Sequence, residues 1–349
     1  MALTINDNGL INLQFALSLS KVERQIQSAI PCQSVQGSTG SPRTDRLSKC
    51  YSVQALIFIN HLAPKFANHL IAFKSLLPVE IVYSEALSHR LSLMSEVLVE
   101  VEEGLMIITI ITINRPQMRN AVNRAVSYGV CAAVDELDAR DDLRVGILTG
   151  AGGTFCAGMD LKAFLQGEVI RVDGRGLMGI ALTPPRKPLI AAVEGYALAG
   201  GFEAMLACDL AVAARNAQFG LPEVKRGLAA GAGGLLRLPR LIPPRIAMEL
   251  ALTGEMIGAE RAAALGLVNA VTEPGGALAE AKRLAARIIC NAPLSVAASK
   301  RVMVEQCDWP LADMFERQQA ITGPVIASDD AREGSAAFAE KRPARWQGR

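Results

Sequence analysis

Two glutamates, Glu203 and Glu223, are the residues of this chain best suited to acid–base chemistry. Glu203 lies in an apolar run that opens with Gly200 and Gly201, so a helix there would carry its carboxylate into apolar surroundings. A buried carboxylate is costly unless it is paired, protonated or used. Two such groups brought together can differ in pKa and divide the roles of acid and base. By residue type alone, Glu203 could instead cap a helix start and Glu223 could be a solvated loop residue.

The stretch from residue 197 to residue 223 joins these glutamates in one pattern. It reads A-L-A-G-G-F-E-A-M-L-A-C-D-L-A-V-A-A-R-N-A-Q-F-G-L-P-E. This pattern resembles the signature of the crotonase family, also called the enoyl-CoA hydratase/isomerase superfamily, in which A-L-G-G-G-x-E precedes an apolar helix, C-D and Q-F-G-x-P-E. Ala199 stands where the family commonly has the first of three glycines.

Three other segments carry the same resemblance. N-R-P at residues 114 to 116, followed by N-A at 120 and 121, matches the family's N-R-P-x-x-x-N-A. Residues 155 to 162, F-C-A-G-M-D-L-K, match F-x-A-G-x-D-L/I-K. A Gly/Ala-rich loop from 227 to 234 matches G-x-x-P-G-x-G-G, with Ala230 in place of the usual proline. The resemblance covers residues 97 to about 345.

This resemblance implies an α/β fold of the crotonase-like type, a spiral of ββα units with a helical C-terminal trimerisation region. It divides the chain into an atypical N-terminal extension at residues 1–93, a spiral core at 94–290 and a C-terminal helical region at 291–349. It also implies a homotrimer or homohexamer, an acyl-CoA thioester as substrate, and no cofactor beyond the CoA of that substrate.

Site residues follow from the resemblance, position by position. The backbone N–H groups of Met159 and Gly200 would form an oxyanion hole for the enolate oxygen that develops on the thioester carbonyl. Glu203 would orient and activate a water for attack at C3, and Glu223 would deliver a proton to C2. The residues expected to contact the substrate are Met159, Asp160, Leu161, Lys162, Gly200, Gln117, Met118 and Arg119.

The two glutamates favour hydration, that is, an enoyl-CoA hydratase of fatty acid metabolism and β-oxidation that adds water across C2=C3 of a 2-trans-enoyl-CoA. Family members that only move a double bond generally keep the second glutamate and lose the first, and this chain has both. A Δ3-Δ2 enoyl-CoA isomerase and another crotonase-type lyase, similar to carnitinyl-CoA dehydratase, are the enzymatic alternatives. An RNA-binding or assembly role is the alternative outside enzymes.

Composition argues against several other classes. With 36 Lys and Arg against 34 Asp and Glu, a net charge of +2 predicts neither a nucleic-acid partner nor a polybasic membrane contact. The three histidines all precede residue 94, which excludes a Ser-His hydrolase in the remainder. Seven cysteines without C-x-x-C spacing predict no metal site, and reduced thiols in a cytoplasmic protein. The dinucleotide fingerprint fails at Phe155, and no apolar run reaches the ~20 residues of a membrane helix.

The first 93 residues do not share the pattern of the rest. Up to Tyr51 they are rich in Ser, Gln, Asn and Thr, and Met94 begins a segment typical of a natural protein start. An extension or an over-long gene start are the interpretations this favours. A transit peptide fits less well, because the segment is not Arg-rich and contains Asp7 and Glu23.

Local patterns predict the elements that position the site. A hairpin over residues 97 to 113, turning at Gly104, contains a direct I-T-I repeat at 108–113, and a three-residue insertion must be absorbed by a bulge or by the turn. Asn120 is predicted to cap a helix through Leu137, and Asp160 to favour the next helix start. Later helices are predicted over residues 244–253, 258–266, 277–290, 293–306 and 311–328, before a solvated basic tail at 340–349.

Overall fold

The structure, a computed structural model, describes residues 95–102 and 108–349. The predicted extension at 1–93 and the predicted turn at Gly104 lie outside the described residues. The strands are β1 Val97–Glu102, β2 Ile108–Ile113, β3 Val145–Gly150, β4 Arg171–Val172, β5 Gly176–Leu177, β6 Leu189–Val193, β7 Tyr196–Leu198, β8 Leu210–Ala214, β9 Gln218–Gly220, β10 Met256–Gly258 and β11 Ala270–Thr272. The helices are α1 Arg124–Ala139, α2 Leu161–Leu165, α3 Gly200–Ala207, α4 Gly234–Leu241, α5 Pro244–Thr253, α6 Ala259–Ala264, α7 Ala277–Ile289, α8 Pro293–Glu305, α9 Met314–Ile326 and α10 Asp329–Glu340.

A six-stranded sheet with the order β1-β2-β3-β6-β8-β11 forms the centre of the described chain. Only the β1–β2 pair is antiparallel, and the other neighbours run parallel. Parallel strands are buried on both faces, which is why β3 and β6 read as near-continuous apolar runs. Within the described residues no helix has the length and apolarity needed to cross a bilayer.

The I-T-I repeat lies in β2 without a bulge in its described pairing. β1 and β2 pair in unbroken register from Val97 opposite Ile113 to Glu102 opposite Ile108. Ile108 and Ile110 belong to one apolar cluster, whereas Ile111 and Ile113 belong to the other. β2 is buried on both faces, so the shift in alternation within the repeat still leaves every isoleucine in a core. Ile108 and Ile110 face one core, and Ile111 and Ile113 face the other.

Two apolar cores flank this sheet. The larger one contains the fully buried rings of Phe155, Phe202 and Phe219. The smaller one lies under α7, where Ala277, Ala281 and Ala285 are buried at four-residue spacing. Alanines on one helix face allow α7 to approach the sheet closely.

A second, three-stranded sheet has the order β10-β9-β7. β7 runs parallel to β9 with Leu198 opposite Gly220, and the Ala199 N–H donates to the Gly220 carbonyl at 2.9 Å. α3 follows β7, and a 3₁₀ helix, Pro222–Arg226, follows β9. The pairing of these two short strands therefore sets the elements that carry Glu203 and Glu223 next to each other.

The predicted later helices are all present, with ends within about three residues of the expected ones. The tail is solvated as predicted at every second residue from 341 to 349, and the alternate residues are half-buried. The Trp346 indole N–H donates to the Cys290 carbonyl at 2.7 Å, and the Asp330 carboxylate accepts from the N–H groups of Gln347 and Gly348. Arg342 pairs with Glu333 at 2.6 Å. These contacts hold the tail against α7 and α10.

Candidate active site

Glu203 lies in the first turn of α3, a helix whose residues are all buried. Its side chain is 3% exposed. Its Oε1 accepts hydrogen bonds from the N–H of Ala232 at 2.7 Å and of Gly234 at 2.9 Å. Charge-assisted bonds of this kind are short and directional. The Gly/Ala-rich loop therefore orients this carboxylate from a distance of about thirty residues along the chain.

Glu223 lies in the 3₁₀ helix Pro222–Arg226 and is half-buried. Its Oε2 is buried and has no hydrogen-bond partner among the described residues. Burial raises the pKa of Glu223 to about 7; the charge of Glu203 adds to the rise, while a backbone hydrogen bond and Arg226 oppose it. A carboxyl group with such a pKa can give or take a proton at neutral pH.

The N–H groups of Met159 and Gly200 come together beside these glutamates. A Cβ built on Gly158 would lie 3.4 Å from the Gly200 nitrogen, and one built on Gly200 would lie 3.9 Å from the Met159 nitrogen. Within the described part of the chain, neither N–H donates to a backbone carbonyl. Each follows a residue with positive φ, Gly158 at +99° and Ala199 at +50°, and lies at or just before a helix start, since Gly200 begins α3 and Met159 lies two residues before α2. The arrangement offers two donors to a single oxygen.

Asp160 supports one of these donors. Its side chain is the N-cap of α2, as predicted, and accepts from the N–H groups of Lys162 and Ala163. The other carboxylate oxygen pairs with Arg115 at 3.0 Å. Burial opposes ionisation, but the hydrogen bonds from Ala163 and Arg115 hold the pKa of Asp160 below its usual value. Asp160 therefore fixes the chain at the residue that follows Met159.

Arg115 is a residue that sequence reasoning missed. Its guanidinium also donates to the Ala121 carbonyl at 2.6 Å and pairs with Glu96 at 3.1 Å. The sequence feature that could have pointed to Arg115 is its place in the N-R-P motif. Its partner on the other side, Asp160, is 45 residues away in the chain, so the pairing is a tertiary contact.

The remaining predicted contact residues lie in two segments next to the Met159 donor, residues 117–119 and 161–162. The Ala157 N–H donates to the Arg119 carbonyl, and Met159 bridges to Val122. Residues 117–119 therefore lie against residues 157–162, the donor segment, which carries the Met159 N–H. Arg119 is exposed, with its guanidinium 5.8 Å from the centre of the Tyr196 ring. The other members of the set are Gln117, Leu161 and Lys162, which are exposed, and Met118, which is half-buried.

The prediction that Asn120 caps a helix was wrong. α1 begins at Arg124, and its N-cap is Asn123, which accepts from the Val126 N–H. Asn120 is fully buried with φ +56°, and its side chain accepts from the Arg115 N–H. Its amide also donates to the carbonyls of Ala151 and Thr154. Asn120 thus ties the N-R-P segment to the loop after β3.

Arg237 in α4 is a second residue that the sequence did not single out. Its guanidinium donates to the carbonyl of Ala181 at 2.5 Å and of Ala232 at 3.4 Å. Burial lowers the pKa of Arg237, and the charge of Glu203 opposes that shift. Arg237 therefore places a positive charge near Glu203 and holds the loop that orients it.

Comparison with known proteins identifies the family of this chain. A family model described as Enoyl-CoA hydratase/isomerase matches residues 103–349. A carnitinyl-CoA dehydratase of Escherichia coli is 41% identical over 249 residues, which are 68% of this chain and 94% of that protein. The crystal structure of an enoyl-CoA hydratase from Mycobacterium marinum is 60% identical, with a TM-score of 0.71, over 73% of this chain and 100% of that one. A carnitinyl-CoA hydratase structure from Mycobacterium avium is 44% identical, with a TM-score of 0.58, over 73% and 99%. The chain belongs to the enoyl-CoA hydratase/isomerase family and has the α/β crotonase fold that its sequence predicted.

Proposed function

We propose that this protein adds water across the C2=C3 double bond of a 2-trans-enoyl-CoA. The observation that carries the proposal is the difference between the two carboxyl groups. Glu203 is oriented by two backbone N–H donors, whereas Glu223 has a buried oxygen without a partner and a pKa near 7. Such a pair can supply one base and one acid at neutral pH.

The reaction follows from these positions. The thioester oxygen accepts hydrogen bonds from the N–H groups of Met159 and Gly200, which stabilise the enolate. Glu203 takes a proton from a water as its oxygen bonds to C3, and the π electrons of C2=C3 move into the enolate. When the enolate collapses, C2 takes the proton that Glu223 holds. One water is consumed, and the proton passes from Glu203 back to Glu223 to restore the pair.

The CoA part of the substrate would lie along the donor segment. Arg119 and Lys162 are exposed cationic side chains in or beside this segment, suited to the phosphates of CoA. The chemistry as written needs no further cofactor, because the CoA that carries the acyl group belongs to the substrate.

A double-bond isomerase is the second candidate within the family. Moving a proton between C2 and C4 requires a single base, so a second buried carboxylate beside the first has no task in that reaction. The presence of both Glu203 and Glu223 in one site supports hydration. Dehydration of a 3-hydroxyacyl-CoA, including the carnitinyl-CoA in the names of two relatives, is the same reaction in reverse.

We also propose that the protein works as a homotrimer or homohexamer. Neither α8 nor α9 has a fully buried residue in the described chain. Phe315 on α9 is 84% exposed, and Leu311 just before it is 85% exposed. Large apolar side chains that are this exposed typically mark a contact with another chain.

The first test is the loss of conjugated-thioester absorbance of crotonyl-CoA. We expect hydration by the wild type and a fall of about 10²-fold or more in kcat for Glu203→Gln and for Glu223→Gln, with the fold intact by circular dichroism. Ala279→Gln, an exposed substitution on α7, is the control. A wild type that is inert on short and long enoyl-CoAs would show that the proposal is wrong.

A further inference from the structure

Arg237 lies between the two halves of the candidate site. It extends from α4, is half-buried, and forms no ion pair within the described chain. Its guanidinium donates instead to two carbonyl groups, that of Ala181 at 2.5 Å and that of Ala232 at 3.4 Å. A side chain at Gly233 would occupy the place of the guanidinium, so the glycine allows Arg237 to lie across the loop. Burying a charge without an ion-pair partner is costly, which indicates a role other than surface pairing.

One of these contacts leads to Glu203. The Ala232 carbonyl accepts from Arg237, and the Ala232 N–H donates to Glu203 Oε1 at 2.7 Å. The second donor to that oxygen is the N–H of Gly234, the first residue of α4. The charges of Arg237 and Glu203 also attract each other, whereas Glu223 faces Glu203 from the 3₁₀ helix with a charge of the same sign. Arg237 therefore supports both the orientation and the charge of this carboxylate.

The other contact leads to the Gly200 donor. It reaches residues 175–182, which we call the bridging segment. Within this segment the Ala181 N–H donates to the Leu177 carbonyl at 3.2 Å, and both residues are buried. Leu177 packs on Gly200, because a Cβ built on Gly200 would lie 2.9 Å from Leu177 Cδ2. A path of direct contacts thus runs from Arg237 to the residue whose N–H faces the thioester oxygen.

Helix α1 holds the bridging segment from another side. The Met178 N–H donates to Ser127 Oγ at 2.8 Å, and Arg175 pairs with Asp135 at 2.7 Å. These contacts do not involve Arg237. Loss of the Arg237 side chain would therefore release one edge of the bridging segment without detaching the whole of it.

We propose that Arg237 is a positioning residue that couples the orientation of Glu203 to the placement of the Gly200 N–H. The inference rests on the proposed function, since it assigns those two groups their roles as base and oxyanion donor. A planar guanidinium can donate in two directions at once, here to the loop that holds the carboxylate and to the bridging segment. Its positive charge favours the ionised form of Glu203, which taking a proton from water requires.

Three variants and one control separate these effects. Arg237→Met loses the charge and the hydrogen bonds, whereas Arg237→Lys keeps the charge but cannot donate to both carbonyls. Leu177→Ala leaves Arg237 in place and removes the packing on Gly200. Arg240→Met, an exposed substitution on the same helix, is the matched control.

Two readouts report the two sides of the site. Bound hexadienoyl-CoA absorbs at longer wavelength when donors polarise its carbonyl, so its red shift reports the oxyanion donors. The ratio of kcat/KM for crotonyl-CoA at pH 6.5 to that at pH 5 reports how much Glu203 stays ionised, since a protonated carboxyl group cannot act as the base.

In Arg237→Met we expect both readouts to change. Its kcat should fall at least about tenfold with KM within about threefold, and the red shift should shrink by about half. The pH ratio should increase about threefold, because Glu203 takes up a proton more readily without the positive charge. Arg237→Lys should restore the ratio but not the red shift. Leu177→Ala should reduce the red shift and keep the wild-type ratio, and the Arg240→Met control should match wild type in both.

Several outcomes overturn the inference. An unchanged kcat and red shift in Arg237→Met, with the fold intact by circular dichroism, is one. Recovery of both readouts in Arg237→Lys is another, because charge alone would then suffice. If Arg237→Met does not fold, the lysine variant and Leu177→Ala still decide, and a wild-type red shift in both overturns the coupling. A wild type that hydrates no enoyl-CoA sinks the proposed function, and the red shift, measured by binding without turnover, then decides this inference separately.

Discussion

The charge of Glu203 helps to keep a proton on Glu223. Burial is the main cause that raises the pKa of Glu223 to about 7, and the nearby carboxylate of Glu203 adds to it. Glu203 itself is held by the N–H groups of Ala232 and Gly234. Glu203 is thus fixed in orientation, and Glu223 keeps a proton at neutral pH. Adding water to a double bond requires one base and one acid, which these two states can supply.

The pH profile of hydration should report this pair. Glu223 must be protonated to deliver a proton to C2, so kcat/KM for crotonyl-CoA is expected to fall about tenfold per pH unit above pH ~7. Buffers of constant ionic strength and the absorbance assay suffice for the measurement. In Glu223→Gln the residual kcat/KM should no longer fall above pH ~7. If the fall remains in that variant, another group supplies the proton.

The free energy of unfolding should also depend on pH through Glu223. The folded-state pKa of about 7 exceeds the ordinary value of ~4.3, so the contribution of Glu223 to folding is full below about pH 4.3 and is lost as pH rises through 7. Urea unfolding of the wild type and of Glu223→Gln at pH 5 and pH 8 measures it. The variant is expected to gain stability relative to wild type at pH 8. An equal difference at both pH values would contradict this.

Gly234→Ala should disturb catalysis more than folding. Its Cβ would lie 2.9 Å from Glu203 Cγ and 3.1 Å from Glu203 Oε1, so the carboxylate must shift. Misplacement of a catalytic group by about 1 Å can cost about 10²-fold in rate, and we expect a fall in kcat of at least about tenfold. Gly323→Ala, another helical glycine with no atom within 4 Å of its Cβ position, is the control. Equal kcat values for the two variants would count against the positioning of Glu203.

Arg115 is expected to act through the oxyanion donors. Arg115→Met removes the partner of Asp160 and frees the segment that carries the Met159 N–H. We expect a loss of about tenfold in kcat with little change in KM, and partial recovery in Arg115→Lys.

The spectrum of a bound conjugated thioester such as hexadienoyl-CoA provides a readout that a purely structural role would not change. Polarisation of the carbonyl by two donors shifts its absorbance to longer wavelength, and this shift should shrink in Arg115→Met. A full red shift in a poorly active variant would locate the defect elsewhere.

Lys300 should matter for stability. Its ammonium group donates to Asp209 Oδ2 at 2.6 Å and to the Lys187 carbonyl at 2.8 Å, and it is 10% exposed. Burial raises the pKa of Asp209 and Lys300 opposes that rise. Lys300→Met removes the ammonium group from a partly exposed carboxylate that keeps the Leu189 N–H as a donor, and it is expected to cost about 1–2 kcal/mol in urea unfolding. Adding Asp209→Asn should recover part of that loss, and strict additivity of the two changes would refute the pairing.

The sequence predicts the candidate site residues but not the groups that hold them in place. Glu203, Glu223, Met159 and Gly200 lie in continuous motifs and can be predicted from them. The donors to Glu203 lie 29 and 31 residues downstream, and no local pattern states which N–H will point at which carboxylate. Such contacts depend on how α3 and α4 pack.

Local rules also failed where a tertiary contact took precedence. Asn120 has the chemistry of a helix cap, but its burial beside the loop after β3 gives its amide three other partners, and Asn123 takes the cap. The basic tail is exposed at alternate residues, but it also has tertiary partners that its own sequence does not show. Glu333 pairs with Arg342, and the Asp330 carboxylate accepts from the backbone N–H of Gln347.

The methyl group of Ala199 has a consequence for how this site can change. Ala199 occupies a positive-φ conformation that favours glycine, and its Cβ lies 2.8 Å from where a side chain at Gly158 would begin. Residues 158 and 199, each of which precedes one of the two N–H donors, therefore share one space for their side chains. A substitution at one has an effect that depends on the residue at the other, so their effects cannot be added. The alanine at 199 therefore leaves less room for a side chain at 158 than a glycine would.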